Sequence, residues 1–296
     1  MMNETTTRPR FDISFEFFPP KSEEMEAQLF ETVDRLALFQ PEFVTVTYGA
    51  GGSTKEPTLS AVTGIIDKTS LPTAAHLTCV DASKDEVRAV VEEYRAAGVR
   101  RIVALRGDPT AGIGTTYLPH GEGFQRTADL VQALAEYGDF DISVSAYPEK
   151  HPESRNMAAD ISVLKQKADA GAHRALTQFF FDNDVFFRYM DEVAAAGVSI
   201  PVIPGIMPIQ NLTQLKRFSK RCGATIPGFL DDRFEGLDDK PDDRAKVAAE
   251  VSAEQIEELG RNGFNHIHLY TMNRSPLVSA VLDNIGYKPG MRKAAA

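Results

Sequence analysis

One pattern constrains this chain more than any other. Eight short runs rich in β-branched and aromatic residues alternate with longer, charged, amphipathic runs. The strand-like runs begin at Phe11 (FDISFEFF), Glu42 (EFVTVTY), Thr73 (TAAHLTCV), Arg101 (RIVALRG), Asp141 (DISVSAY), His173 (HRALTQFF), Ile200 (IPVIPGI) and Asn265 (NHIHLYT). Helical patterns such as SEEMEAQLFETVDRLALF, KDEVRAVVEEYRAAG and MAADISVLKQKADAG fall between them. Gly98, Gly171 and Gly197 stand where helix C-caps are wanted. Strict βα order with right-handed crossovers gives either a closed barrel or an open doubly wound sheet. The count of eight selects a single (β/α)8 TIM barrel, expected over residues 11–290 of the 296. Residues 1–10 read as a loose polar leader without the apolar stretch of a signal peptide, and 291–296 as a tail.

The net charge of −10 argues against nucleic acid or an anionic membrane as the main partner. No stretch approaches the ~20 apolar residues of a membrane span. The two cysteines, Cys79 and Cys222, form no CxxC pair, so the expected compartment is the cytoplasm. Two loops stand out: a glycine-bearing one from Gly107 to about Arg126, and an acidic one from Pro227 to Asp243 before a helix expected from near Arg244.

Alternation along each strand assigns faces. Phe11, Ile13, Phe15 and Phe17 suit the helix layer, which turns Ser14 and Glu16 into the barrel. Thr45 and Thr47 face in, as do Ala74, His76 and Thr78. In the fourth strand Val103 and Leu105 are expected to face out, with Arg106 and Asp108 sharing the inner parity. Tyr147 follows Ser143 and Ser145 inward, and His266, His268 and Tyr270 do the same on the last strand. Gln178 ends the sixth strand. The polar set thus gathers at strand C-termini, where barrel active sites are built. Glu16, flanked in sequence by Phe15, Phe17, Phe18, Pro19 and Pro20, is expected to have a raised pKa and to act as a neutral proton donor. Asp108, beside Arg106, is expected to stay ionised, making two unlike carboxyls.

Other chemistries find less support. His266 and His268 form a His-x-His pair, but the first strand carries no histidine to complete a barrel hydrolase metal site, so no metal is expected. No strand run contains the lysine a Schiff-base aldolase needs. No GxSxG elbow, P-loop or GxGxxG fingerprint is present.

The runs SFEFFPPK, FVTVTYGAGGS, HLTC, RIVALRGD, ISVSAYPEKHPE, LTQFFFD, IPGIMPI and HLYTMNR resemble those of bacterial methylenetetrahydrofolate reductases, from about Phe11 to Tyr287. The resemblance implies noncovalent FAD, reduced by NADH or NADPH, and reduction of methylenetetrahydrofolate at the same face in a ping-pong scheme. It implies Glu16 as the general acid that opens the folate's imidazolidine ring and Asp108 as the carboxylate beside the flavin. Thr47 matches a residue near the flavin's reactive nitrogen. Tyr48, Ala50, His76, Arg106, Gly107, Tyr147, His151, Asp160 and Lys167 match positions that hold FAD, with Arg106 and Lys167 suited to its diphosphate. Gln178, Gln214, Phe218, Tyr270 and Arg274 fall on the substrate side. The family tends to form homo-oligomers. Read without the resemblance, Asp160 and Lys167 would be solvated helix charges and Phe218 a core residue. A flavin-free, pterin-binding barrel that transfers a one-carbon unit is the alternative reading.

Overall fold

The computed structural model describes residues 11–49, 55–108 and 118–290, so Ala50 and the expected leader and tail lie outside the described residues. Its elements run β1 (Asp12–Phe17), α1 (Glu23–Ala37), β2 (Phe43–Val46), α2 (Lys55–Thr69), β3 (Thr73–Thr78), α3 (Lys84–Ala96) and β4 (Arg101–Leu105). Then follow α4 (Thr127–Ala135), β5 (Asp141–Ala146), α5 (Met157–Asp169), β6 (Arg174–Thr177), α6 (Asn183–Ala195), β7 (Val202–Ile203) and β8 (Gly205–Ile206). The chain closes with α7 (Leu212–Cys222), α8 (Phe229–Phe234), α9 (Pro241–Arg261), β9 (His266–Tyr270) and α10 (Ser275–Asn284).

All described strand pairs are parallel, in the order β7-β6-β5-β4-β3-β2-β1-β9-β8. The sheet has nine strands rather than eight because the expected seventh strand is broken at Pro204. Proline has no amide hydrogen to give a ladder. Its carbonyl still accepts from His268 N at 3.0 Å. The segment before the break pairs with β6 and the segment after it with β9, so one stretch of chain spans the two edges and closes a TIM-like barrel.

Helix starts follow the local chemistry. The Ser22 side chain caps α1 by accepting from Met25 N, and Ser83 with Glu86 forms a capping box on α3. Gly98, Gly171 and Gly197 follow the C-caps of α3, α5 and α6, as expected. The acidic loop differs from expectation. Residues 229–234 form the short helix α8, and α9 begins at Pro241, whose missing amide hydrogen and fixed φ suit a first helical turn.

Two apolar layers result. The larger lies between strands and helices and includes Phe15, Phe17, Ala75, Leu77, Ile102 and Ala104. The smaller fills the barrel itself: Phe43, Ala74, Val103, Leu176 and Ile203, with Leu105 packed against it. This reverses the expected parity of β4, since Val103 and Leu105 point inward. Both faces of β4 are buried, so apolar character does not distinguish them. The floor of the barrel is finished by the Arg101 and Arg174 guanidiniums, which lie 5.4 and 5.5 Å from the Phe43 ring and both pair with Asp141.

Candidate functional site

Glu16 sits one inward layer above that floor. The register sets it opposite Thr45 of β2 and Tyr270 of β9. Its Oε2 lies 3.4 Å from His76 Nε2, 3.5 Å from Thr45 Oγ1 and 3.6 Å from His268 Nε2. Both imidazole nitrogens are buried and neither closes a hydrogen bond. The expected apolar collar is only partly present at the carboxyl. Phe15 and Phe17 point to the helix layer and Phe18 lines the same cavity as Glu16, while the groups nearest the carboxyl are His76, Thr45 and His268. Burial pushes the Glu16 carboxyl up, but the His268 contact, the His76 and His268 imidazoles and the Thr45 hydroxyl together outweigh it and hold the carboxyl below its ordinary range. Burial also pushes His76 down to about 4, against the pull of Glu16. The expectation of a raised Glu16 pKa is therefore corrected: the shift is downward and favours the ionised carboxyl.

Glu16 lines a cavity of about 260 Å³ at the barrel mouth, together with Thr47, Tyr48, His76, Tyr147, Gln178, Phe218 and Tyr270. Tyr270 is fixed by its hydroxyl, which donates to Thr177 O at 2.7 Å. The approach is possible because Gly205 has no side chain: a Cβ there would meet Thr177 O at 2.3 Å and Tyr270 Cε2 at 2.8 Å. Gln178 Oε1 accepts from Phe179 N at 3.0 Å. Phe218 is 44% exposed rather than core, and its ring stacks on Phe179 with centroids 5.7 Å apart.

A second cavity, of about 400 Å³, is lined by Arg106, Gly107, Asp108, Tyr147, His151, Asp160 and Lys167. It meets the first at Leu105, Ser145 and Tyr147. Asp160 and Lys167 lie on α5 yet are only 7% and 4% exposed, so the surface reading of these charges fails. The Lys167 ammonium donates to Ser145 O at 2.5 Å, and burial pushes its pKa down to about 8. Asp160 Oδ1 accepts from His151 N and from the Ser154 hydroxyl. Burial pushes the Tyr147 hydroxyl up to about 12, and its ring meets His151 edge-on.

Arg106 and Asp108 reach this cavity by a turn rather than by strand parity. β4 ends at Leu105, and Gly107 has φ +87, a conformation in which a Cβ would lie 2.5 Å from Val80 Cγ1. The Arg106 guanidinium pairs through two nitrogens with Glu153, which the sequence reading did not single out, at 2.5 and 3.1 Å. Glu16 and Asp108 therefore line different lobes. Gln214 and Arg274 are exposed and line neither cavity. Ser145, which joins the lobes, was legible only as an inward position.

A family model described as methylenetetrahydrofolate reductase matches residues 1–286. The 5,10-methylenetetrahydrofolate reductase of Escherichia coli (strain K12) is 43% identical over 284 residues, covering 95% of this chain and 93% of that protein. That of Buchnera aphidicola subsp. Acyrthosiphon pisum is 40% identical, covering 94% and 93%. Methylenetetrahydrofolate reductase (NADH) 1 of Arabidopsis thaliana is 34% identical, covering 92% of this chain and 48% of that protein. Among solved structures, a Clostridium thermocellum protein that binds two copies of 5-methyl-5,6,7,8-tetrahydrofolic acid matches with a TM-score of 0.63 over 94% of each chain. At 15% identity that likeness concerns the fold.

Proposed function

Because this chain belongs to the methylenetetrahydrofolate reductase family, a family of oxidoreductases, we propose that it reduces 5,10-methylenetetrahydrofolate to 5-methyltetrahydrofolate with noncovalent FAD and with NADH or NADPH as electron source. The donor set fits the cofactor. The larger lobe offers two cations, Arg106 and Lys167, for a diphosphate. The smaller lobe offers aromatic and apolar walls for planar rings, from Phe179, Phe218, Tyr270 and Met207. Their junction at Leu105, Ser145 and Tyr147 suits an elongated ligand with one anionic half and one flat half. Bound FAD supplies a two-electron relay between nicotinamide and folate.

The residues of this chain do the rest. Lys167 and Arg106 hold the diphosphate, which requires Glu153 to share or release the guanidinium. Asp160 fixes the loop carrying His151 and Ser154. Asp108 lines the larger lobe with Arg106 and would lie beside the part of the cofactor held there. Phe218 covers the mouth, where nicotinamide and folate take turns. Glu16 protonates the folate nitrogen that leaves when the five-membered ring opens. Because its polar neighbours hold its carboxyl low, Glu16 would take up its proton as the folate binds: apolar ring surface displaces water and strengthens the burial that already pushes the carboxyl up.

The single observation that carries this reading is a buried carboxyl at the floor of an aromatic-walled mouth, joined to a cavity that holds a buried ammonium. The test is optical. The purified protein, supplied with FAD, is expected to show a bound-flavin spectrum that bleaches with NADH or NADPH under anaerobic conditions and returns on addition of methylenetetrahydrofolate. A colourless protein that takes up no FAD contradicts the reading and favours the flavin-free pterin barrel.

A further inference from the structure

The helix that carries Phe218 is lightly held. α7 buries only Leu212, Leu215 and Ser219 of its own length, and Phe218 lies half-exposed on the Phe179 ring. A ring that covers two substrates in turn has to return to one place, because small misplacements are costly to binding and reaction geometry. This thin apolar stripe needs a further fixing point.

That point is at the C-terminal end of α7. Gly223 caps the helix in the left-handed region, with φ +75, and turns the chain onto the segment between β5 and α5. A Cβ at Gly223 would lie 3.1 Å from Pro152 Cγ and 3.4 Å from Lys150 O, so the two segments touch. Two residues on, Thr225 N lies 3.0 Å from each carboxylate oxygen of Glu149 and donates to them. Hydrogen bonds to a charged acceptor are among the stronger ones. Cys222 and Gly223 line one narrow crevice with Glu149, Lys150, Gln178 and Phe179. The segment that makes this contact also lines the larger cavity, through Tyr147, His151, Glu153 and Ser154. It is braced from within. Lys150, at φ 72, donates through Nζ to His151 O and Ser154 O, and Asp160 Oδ1 accepts from His151 N and the Ser154 hydroxyl. One side of the segment therefore serves the cofactor lobe and the other holds α7. Glu149 itself lines neither the larger cavity nor the mouth.

On the proposed function, from which this inference proceeds, Phe218 covers nicotinamide and folate in turn. We propose that Glu149 is a positioning residue for that cover: by holding Thr225 N it fixes the end of α7 on the cofactor segment, and so sets where Phe218 stands over a ring in the mouth. Glu149 touches no substrate. Its effect passes through Phe218 and falls on substrate affinity, not on the chemical step and not on the hold on FAD.

The test is a double-mutant cycle on the FAD-loaded protein, with KM and kcat measured for both substrates in wild type, Glu149→Ala, Phe218→Ala and the double variant. Glu149→Ala is expected to raise KM for folate and for nicotinamide by at least about threefold, within the range of coupling between residues linked through one network, with kcat and FAD affinity within about twofold of wild type. The double variant is expected to show the KM values of Phe218→Ala alone, because a helix without its ring has no cover left to misplace. Glu149→Gln keeps an acceptor oxygen for Thr225 N and is expected to hold KM within about twofold of wild type. KM effects that multiply in the double variant overturn the proposal, and so does a Glu149→Gln variant no better than Glu149→Ala. Loss of FAD from Glu149→Ala, or its failure to fold, makes Glu149 a support of the cofactor segment or of the fold instead, and equally overturns it. A wild-type protein that takes up no FAD, or that bleaches with NADH but cannot reduce folate, contradicts the proposed function itself.

Discussion

Replacing Lys167 with methionine separates what this residue does for cofactor binding from what it costs the fold. Its ammonium is buried against Ser145, and burial lowers its pKa from the ordinary 10.5 to about 8. Between these values the unfolded chain holds a proton that the folded chain has released, so stability rises with pH across that window. At about 1.4 kcal/mol per pH unit, the gap amounts to about 3 kcal/mol. Below pH 8 the wild-type apoprotein therefore carries this burden, and Lys167→Met removes it at the expense of the bond to Ser145. The quantity to follow is the difference in unfolding free energy between variant and wild type, by urea denaturation without FAD at several pH values from 7 to 10.5. Titration of the other lysines cancels in that difference. The wild type is expected to gain about 3 kcal/mol on the variant across the window. The same variant is expected to bind FAD at least about thirtyfold more weakly, the effect of removing one partner of a buried charge pair. A difference flat with pH, or FAD affinity equal to wild type, refutes the reasoning that Lys167 is a strained cation kept for an anionic ligand.

Two further substitutions probe the architecture of the two lobes. Gly107→Ala forces a Cβ to within 2.5 Å of Val80 Cγ1 at φ +87, so a loss of roughly 1–3 kcal/mol is expected in urea unfolding, together with weaker FAD binding as Arg106 and Asp108 are displaced. An unperturbed melting curve and cofactor affinity contradict that. Phe218→Ala removes an exposed ring, so stability is expected to change by no more than about 0.5 kcal/mol while KM rises for nicotinamide and folate by unequal factors. Unchanged kinetics for both substrates reject its role as the cover of the mouth.

How much of this was legible in the sequence depends on which physical rule governed each residue. The barrel was legible because the βα alternation and helix-end glycines are local signals. Most inward positions were legible too: Ser14, Glu16, Thr45, His76, Ser145 and Tyr270 follow simple alternation. β4 was misread because Ile102 to Leu105 is apolar on both faces, and the lower barrel interior is itself an apolar core. The direction of the Glu16 shift is not legible from its sequence neighbours because Phe15 and Phe17 lie on the opposite face of the strand; the groups that lower its pKa come from β2, β3 and β9. Asp160 and Lys167 did leave a signal. They fall at i and i+7 with Leu164 between them, on the buried stripe of α5, where a solvated charge has no place. The Glu153 pair with Arg106 left none, since only the fold brings the two residues together.

The account rests most directly on Glu16 as the proton source, and Glu16→Gln tests it in two half-reactions observed on the bound flavin. Bleaching by NADH is expected at the wild-type rate, because that step needs no proton from this residue. Return of the flavin colour on adding methylenetetrahydrofolate is expected to slow by about 10²–10⁴-fold, the usual worth of a lost general acid. Restoration at the wild-type rate contradicts the claim.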